Sequence, residues 1–218
     1  MDLQELKRLI SRGEGQYLEF KKKANHPEKI IKELVAFANS KGGLLVLGVD
    51  DDGTLSGTRS IEGEVFILED AIAKSIRPRP VYKVEIIKLN EKKGVALFHI
   101  EEGKRKPYFV KLEEDTGKGR AYVRSGEESL QASREMREII RRRLKPGNIH
   151  FEYGEKEKVL MQYLEEHESI QVNELRRIAQ IPKFVASRTL VRLVLANVLD
   201  VKPSGSGDLY YSKTLATT

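Results

Sequence analysis

The sequence predicts an α+β fold: a mixed, mostly antiparallel sheet with helices, followed by a small winged helix-turn-helix domain. Three observations carry this. Over the first two thirds of the chain, apolar residues switch repeatedly between helical spacing and strict alternation. The run Leu44–Val49 is continuously apolar, the pattern of a strand buried on both faces. After Lys145-Pro-Gly-Asn, three helical patterns precede a strand, a Gly/Ser loop and a strand, the order of a winged helix.

The elements follow in order. Leu3, Leu6, Leu9 and Ile10 give Asp2–Ser11 one apolar face, with Asp2 as cap and Arg12-Gly13 as the stop. Tyr17–Lys21 alternates and reads as a strand. Pro27 suits a first helical turn, and the helix runs to about Asn39 before Gly42-Gly43 closes it. Leu44–Val49 is the inner strand, Asp51-Asp-Gly-Thr a tight turn, and Leu55-Ser-Gly a short returning strand. Val65, Leu68, Ile72 and Ile76 mark a third helix, stopped by Pro78 and Pro80. Tyr82–Leu89 and Val95–Ile100 form a hairpin. Tyr108–Leu112 pairs with Arg120–Arg124 across a mobile connection, Glu113–Gly119. Ser133–Leu144 is an arginine-rich helix.

The first domain is thus 1–145 and the linker 146–153. The second domain, 154–218, holds helices at Glu155–Glu166, Val172–Ala179 and Lys183–Ala196, then strands around Val198–Val201 and Leu209–Ser212.

The totals set limits. Of 218 residues, 33% are charged and 39% hydrophobic, which fits a soluble globular protein. No apolar run approaches ~18 residues, so no membrane span is expected. No leader pattern is visible and cysteine is absent, which removes disulfides and thiolate metal sites and points to a cytoplasmic location. The net charge is +6, and the whole excess lies before residue 150. In the last domain, Lys183–Asn197 contains Lys183, Arg188 and Arg192 and no acid.

That asymmetry points to nucleic acid. In a helix-turn-helix the second helix of the motif enters the major groove with its N-terminal residues toward the bases. Lys183, Ser187 and Arg188 take that place here, with Arg192 nearer the backbone. A winged helix used for protein contact is the alternative. DNA is the expected partner and RNA the second, and a homodimer would double the contacts of a modestly basic module. Lys21, Lys22 and Lys23 add a basic run in the first domain, with Lys21 and Lys22 as candidate nucleic-acid contacts. A further concentration comprises Arg120, Arg124, Arg134, Arg137, Arg141, Arg142, Arg143 and Lys145, and it reads either as a phosphate track or as a solvated helix face.

Glu14, Glu19 and Asp51 are candidate metal ligands. An odd spacing on one strand puts Glu14 and Glu19 on opposite faces, so they converge only if Glu14 sits in the turn before the strand. Converging carboxylates repel unless a divalent cation neutralises them, and hard oxygen ligands select magnesium or manganese. The alternative reads Asp-Asp-Gly as a turn and Glu19 as a lysine partner. A P-loop, a Gly-x-Ser-x-Gly and a Cys nucleophile are missing, and the histidines lack ligand spacing.

Four ordered motifs resemble a known family: Glu14-x4-Glu19-Phe-Lys, Ala36-Phe-Ala-Asn-Ser-x-Gly-Gly, Leu47-Gly-Val-Asp-Asp-Asp-Gly and Tyr122-Val-Arg-Ser-Gly. They look like the Schlafen AlbA-like domain over about residues 1–145. The resemblance implies a DNA-binding regulatory protein, a type in which this domain commonly precedes a winged helix. It also implies a second activity: a metal-dependent endoribonuclease acting on structured RNA, with Glu14, Glu19 and Asp51 as its three acids and Mg or Mn as its cofactor. Animal members of that kind pair two such domains; a homodimer would take the place of the missing half.

Overall fold

Asp2 starts the first helix by a reciprocal cap: its carboxylate accepts the Glu5 N–H at 2.8 Å, and Glu5 accepts the Asp2 N–H at 2.9 Å. The computed structural model describes residues 1–111, 117, 119–144 and 153–213. These fall into two compact units, divided between Gln131 and Ala132.

The first unit contains α1 (Leu3–Ile10), β1 (Leu18–Lys21), α2 (Pro27–Asn39), β2 (Gly43–Leu47), α3 (Ile61–Ser75), β3 (Ile76–Arg77), β4 (Tyr82–Lys88), β5 (Gly94–Ile100), β6 (Phe109–Val110), β7 (Tyr122–Ser125) and β8 (Glu128–Gln131). Its main sheet has the order β1-β2-β5-β4; β1 and β2 are parallel and the other pairs antiparallel. β2 is therefore an inner strand, as its unbroken apolar run implies. Strand alternation sends Leu45, Leu47, Ala96 and Phe98 into one core with α2 and α3. Leu18, Phe20, Val46, Val95 and Leu97 join Leu6 and Ile10 of α1 in the other. Each large apolar side chain buried in this way contributes about 1.5–3 kcal/mol relative to exposure.

The Ala36–Gly43 motif is a clasp. Asn39 is buried, donates to the carbonyls of Tyr108 and Tyr122 at 2.9 Å each, and accepts the Tyr108 N–H at 2.7 Å. Ser40 Oγ accepts the Arg124 N–H at 3.0 Å. Gly42 has φ +78°, and a Cβ there would lie 2.7 Å from the Ile100 carbonyl oxygen. A Cβ on Gly43 would lie 2.3 Å from the Phe37 ring.

Two sequence expectations differ. Leu55-Ser-Gly forms no strand: the chain turns back through hydrogen bonds from Asp50 N–H to Thr54 O and from Gly57 N–H to Gly48 O. Among the described residues, Tyr108–Lys111 and Arg120–Arg124 do not form a strand pair. They meet at one bridge, Val110–Arg120, while β6 pairs with β3 and β7 with β8. Gly126 at φ +64° turns β7 into β8, a hairpin that the polar residues of β8 conceal from an apolar pattern. Most of the expected connection Glu113–Gly119 lies outside the described residues.

The second unit contains α4 (Arg134–Arg143), α5 (Glu155–Glu166), α6 (Val172–Ile178), α7 (Lys183–Leu195), β9 (Leu199–Lys202) and β10 (Leu209–Ser212). Gln180 at φ +50° makes the bend from α6 to α7, and Ile170 bridges Tyr210 beside the β9–β10 hairpin. Leu160, Leu164, Leu175, Leu190, Val194 and Tyr210 form the core, together with Ile139 of α4. The sequence predicts that helix in a 1–145 domain with a linker at 146–153. The structure places α4 in the second unit, because its apolar face packs on α7. Helical periodicity reveals a face but not its partner. Residues 145–152 lie outside the described residues. Ser133 caps α4 by accepting the Met136 N–H at 2.9 Å, and its hydroxyl donates to the buried Asp208 carboxylate at 2.5 Å. No helix among the described residues is long and apolar enough to cross a membrane.

Candidate functional site

In the first unit three of the four motifs, those holding Glu19, Phe37–Ser40 and Arg124 itself, meet at Arg124. Its side chain is fully buried. Nη1 donates to Glu19 Oε2 at 3.0 Å, Glu33 Oε2 at 2.7 Å and Ser129 Oγ at 3.2 Å; Nη2 donates to the Gly15 carbonyl at 2.6 Å. The Phe37 ring lies 4.8 Å from the guanidinium carbon. Glu19 reaches this position because it is paired in register with Leu45, on the α2 side of the sheet. Its second oxygen accepts from Lys21 Nζ, two residues along the same face. Glu33 accepts from the Ser129 hydroxyl, and burial holds its carboxyl above the usual range. Two cations and two acids thus balance inside the fold. Glu33 and Ser129 carry no spacing signal in the sequence: Glu33 meets Arg124 across 91 residues, and Ser129, five residues on, reaches it only through the β7–β8 hairpin.

Glu14 is elsewhere. Its Oε1 accepts the Phe20 N–H at 2.7 Å, and it lines an open cavity of about 650 Å³ with Asp51, Asp52, Glu127 and Lys7. Phe20 also lines that cavity and belongs to the α1 side of the sheet, opposite Glu19. Asp51 is exposed. Glu14 and Asp51 therefore share a cavity that Glu19 does not reach, and both Glu19 oxygens are occupied by cationic side chains. This donor set does not fit a magnesium or manganese ion. Among the described residues no group of three or more His, Cys, Asp or Glu is arranged to hold a metal.

Of the residues expected to bind phosphate in this unit, Arg124 and Lys21 are engaged by acids of the fold. Arg124 was expected to face nucleic acid, but its guanidinium is enclosed and engaged by acids. Lys21 Nζ is held by Glu19 and donates to the Phe20 carbonyl at 2.8 Å. Lys22 is exposed, with Asp50 at 2.7 Å; their hydrogen bond raises the lysine pKa and lowers that of the aspartate.

In the second unit, Lys183, Arg188 and Arg192 are exposed on α7. Arg188 and Arg192 are one turn apart on one face. Thr189, next to Arg188 in the chain, is buried. Ser187 is half-buried, and its hydroxyl donates to Glu135 Oε1 of α4 at 2.5 Å rather than standing free. Phe184, absent from the residues the sequence singles out, is 66% exposed one turn before Arg188. The signal for it was its place four residues before Arg188 and eight before Arg192. A cleft of about 380 Å³ runs between α4 and α7, lined by Arg134, Arg142, Arg188, Arg192 and Phe184, with Glu135 and Glu138 beside them. At the hairpin, Gly205, Ser206 and Gly207 are exposed, and the Gly207 carbonyl accepts from Gln171 Nε2 at 3.3 Å.

Residues 14–133 match the model of the family described as Schlafen, AlbA_2. No curated protein matches the chain. Among solved structures, the N-terminal domain of a RecG-related protein from Nitrosomonas europaea, titled after an ATP-dependent DNA helicase, is 20% identical with a TM-score of 0.42. It covers 52% of this chain and 82% of its own. The DIP2311 protein from Corynebacterium diphtheriae is 17% identical with a TM-score of 0.46, and the match covers 91% of this chain but 38% of that one.

Proposed function

Because the chain belongs to the Schlafen AlbA_2 family, which points to nucleic-acid binding, we propose that it is a DNA-binding transcriptional regulator that engages duplex DNA through α7. The helix order α5-α6-α7 followed by the β9–β10 hairpin supports reading the second unit as a winged helix, with α7 as the major-groove helix. One observation carries the proposal. Lys183, Arg188 and Arg192 lie exposed along one helix, and among the described residues none is in an ion pair. Cations left unpaired on a convex helix are free to displace counterions from phosphates. The Ser204–Gly207 turn, small and exposed at its tip, suits close approach to a backbone.

Binding of the full chain to labelled duplex DNA across a salt series tests this. Lys183→Ala and Arg188→Ala each weaken binding and lower the salt slope by about one unit if the residue contacts phosphate. Arg188→Ala additionally relaxes discrimination, by about 1–3 kcal/mol, if it reads a base edge. Unchanged affinity and slope in both variants would refute the assignment of α7.

A further inference from the structure

We propose that α4 is a second DNA-contacting element, and that Arg134 and Arg142 form with Arg188 and Arg192 one seat for the phosphate backbone. The inference rests on the reading of α7 given above and extends it to a helix outside the helix-turn-helix. Five arginines lie on α4, but they are not equivalent. Arg137 Nε donates to the Ser133 carbonyl at 3.2 Å, Arg141 pairs with Glu138, and Arg143 lies 3.6 Å from Asp200. Arg134 and Arg142 are exposed and, among the described residues, in no ion pair.

These two line the same cleft as Arg188 and Arg192. The acids in the cleft offset them only in part: Glu138 is held by Arg141, and Glu135, which accepts from the neutral Ser187 hydroxyl, leaves one negative charge against four arginines. Four free guanidinium groups thus surround one open groove. The two on α4 are eight residues apart, about 12 Å along the helix, the axial rise of roughly three to four nucleotides on one strand. A guanidinium binds a phosphate through two parallel N–H donors, so a groove edged by four of them suits a run of phosphates. The Glu135–Ser187 hydrogen bond fixes α4 against α7, so the two rows of arginine keep their spacing without DNA.

The test uses the full chain, a fluorescein-labelled mixed-sequence duplex and anisotropy across a salt series. The Arg134→Ala/Arg142→Ala variant is expected to lower the salt slope by about two units. Arg143→Ala, which removes one paired arginine of the same helix, is expected to leave the slope unchanged. Circular dichroism melting checks that each variant folds, and Arg134→Gln/Arg142→Gln replaces the alanine pair if that pair does not. A wild-type slope in the folded double variant, while Arg188→Ala lowers it, overturns the role of α4 and leaves that of α7 intact. An equal loss per charge in Arg143→Ala also overturns it, since net charge alone would then account for the effect. Failure of the wild-type chain to bind the duplex at low salt overturns the reading of α7 itself.

Discussion

Arg124 is fully buried and holds the buried Glu19 and the half-buried Glu33, and removing it leaves Glu19 with Lys21 alone and Glu33 with only the neutral Ser129 hydroxyl. Arg124→Ala is therefore expected to destabilise the protein by about 3–5 kcal/mol, measured by urea unfolding, because breaking a buried pair leaves uncompensated charge. Arg124→Lys is expected to recover little of this, since one ammonium cannot reproduce the guanidinium's contacts with Glu19, Glu33, Ser129 and Gly15. Asp208 makes the corresponding case in the second unit. Burial raises its pKa in the folded state. The folded state then binds the proton more tightly than the unfolded state. The associated stability is fully present below the ordinary carboxylate value of ~4 and is lost as pH rises through the raised one. Melting midpoints followed across that window should fall less in Asp208→Asn than in the wild type. The individual acids were visible in the sequence. Their partners were not, because Glu19 meets Arg124 across more than a hundred residues, a distance that no local spacing rule covers.

Periodicity identified most of the helices and the longer strands, because burial on one or both faces is written into local pattern. It failed at β3 and β8, which are two and four residues long, and it found β6 within Tyr108–Leu112 but not its partner, β3. Such strands are held by their neighbours rather than by their own composition. It also credited Gly42-Gly43 only with closing a helix. The second glycine has a packing role: Phe37, the ring beneath Arg124, occupies the space where its Cβ would be. Gly43→Ala is expected to cost about 1–3 kcal/mol in urea unfolding, through displacement of that ring. A cost below a few tenths would mean that the ring shifts freely and that the clasp is loose.

Across the whole molecule, the assignment of α4 decides what can stand alone. Ile139 is fully buried in the core of the second unit, so a fragment beginning at Ala132 should melt cooperatively. A fragment beginning at Gly154 lacks that side chain and should lose about 2–5 kcal/mol, the cost of emptying a large apolar site. Calorimetry of the two fragments measures this, and equal stability would return α4 to the first unit. The α+β class, the inner position of β2, the family resemblance and the basic stretch at Lys183–Asn197 are all legible in the amino-acid sequence. All of these depend on local periodicity or on residues close together in the chain. Only the tertiary structure decided that Glu19 faces Arg124 while Glu14 and Asp51 line another cavity. It alone also assigned α4 to α7, with two of its five arginines left unpaired in the shared cleft. The reason is physical: a side chain's charge and hydropathy belong to the residue, but its partner is chosen by which face of which element comes to lie against it.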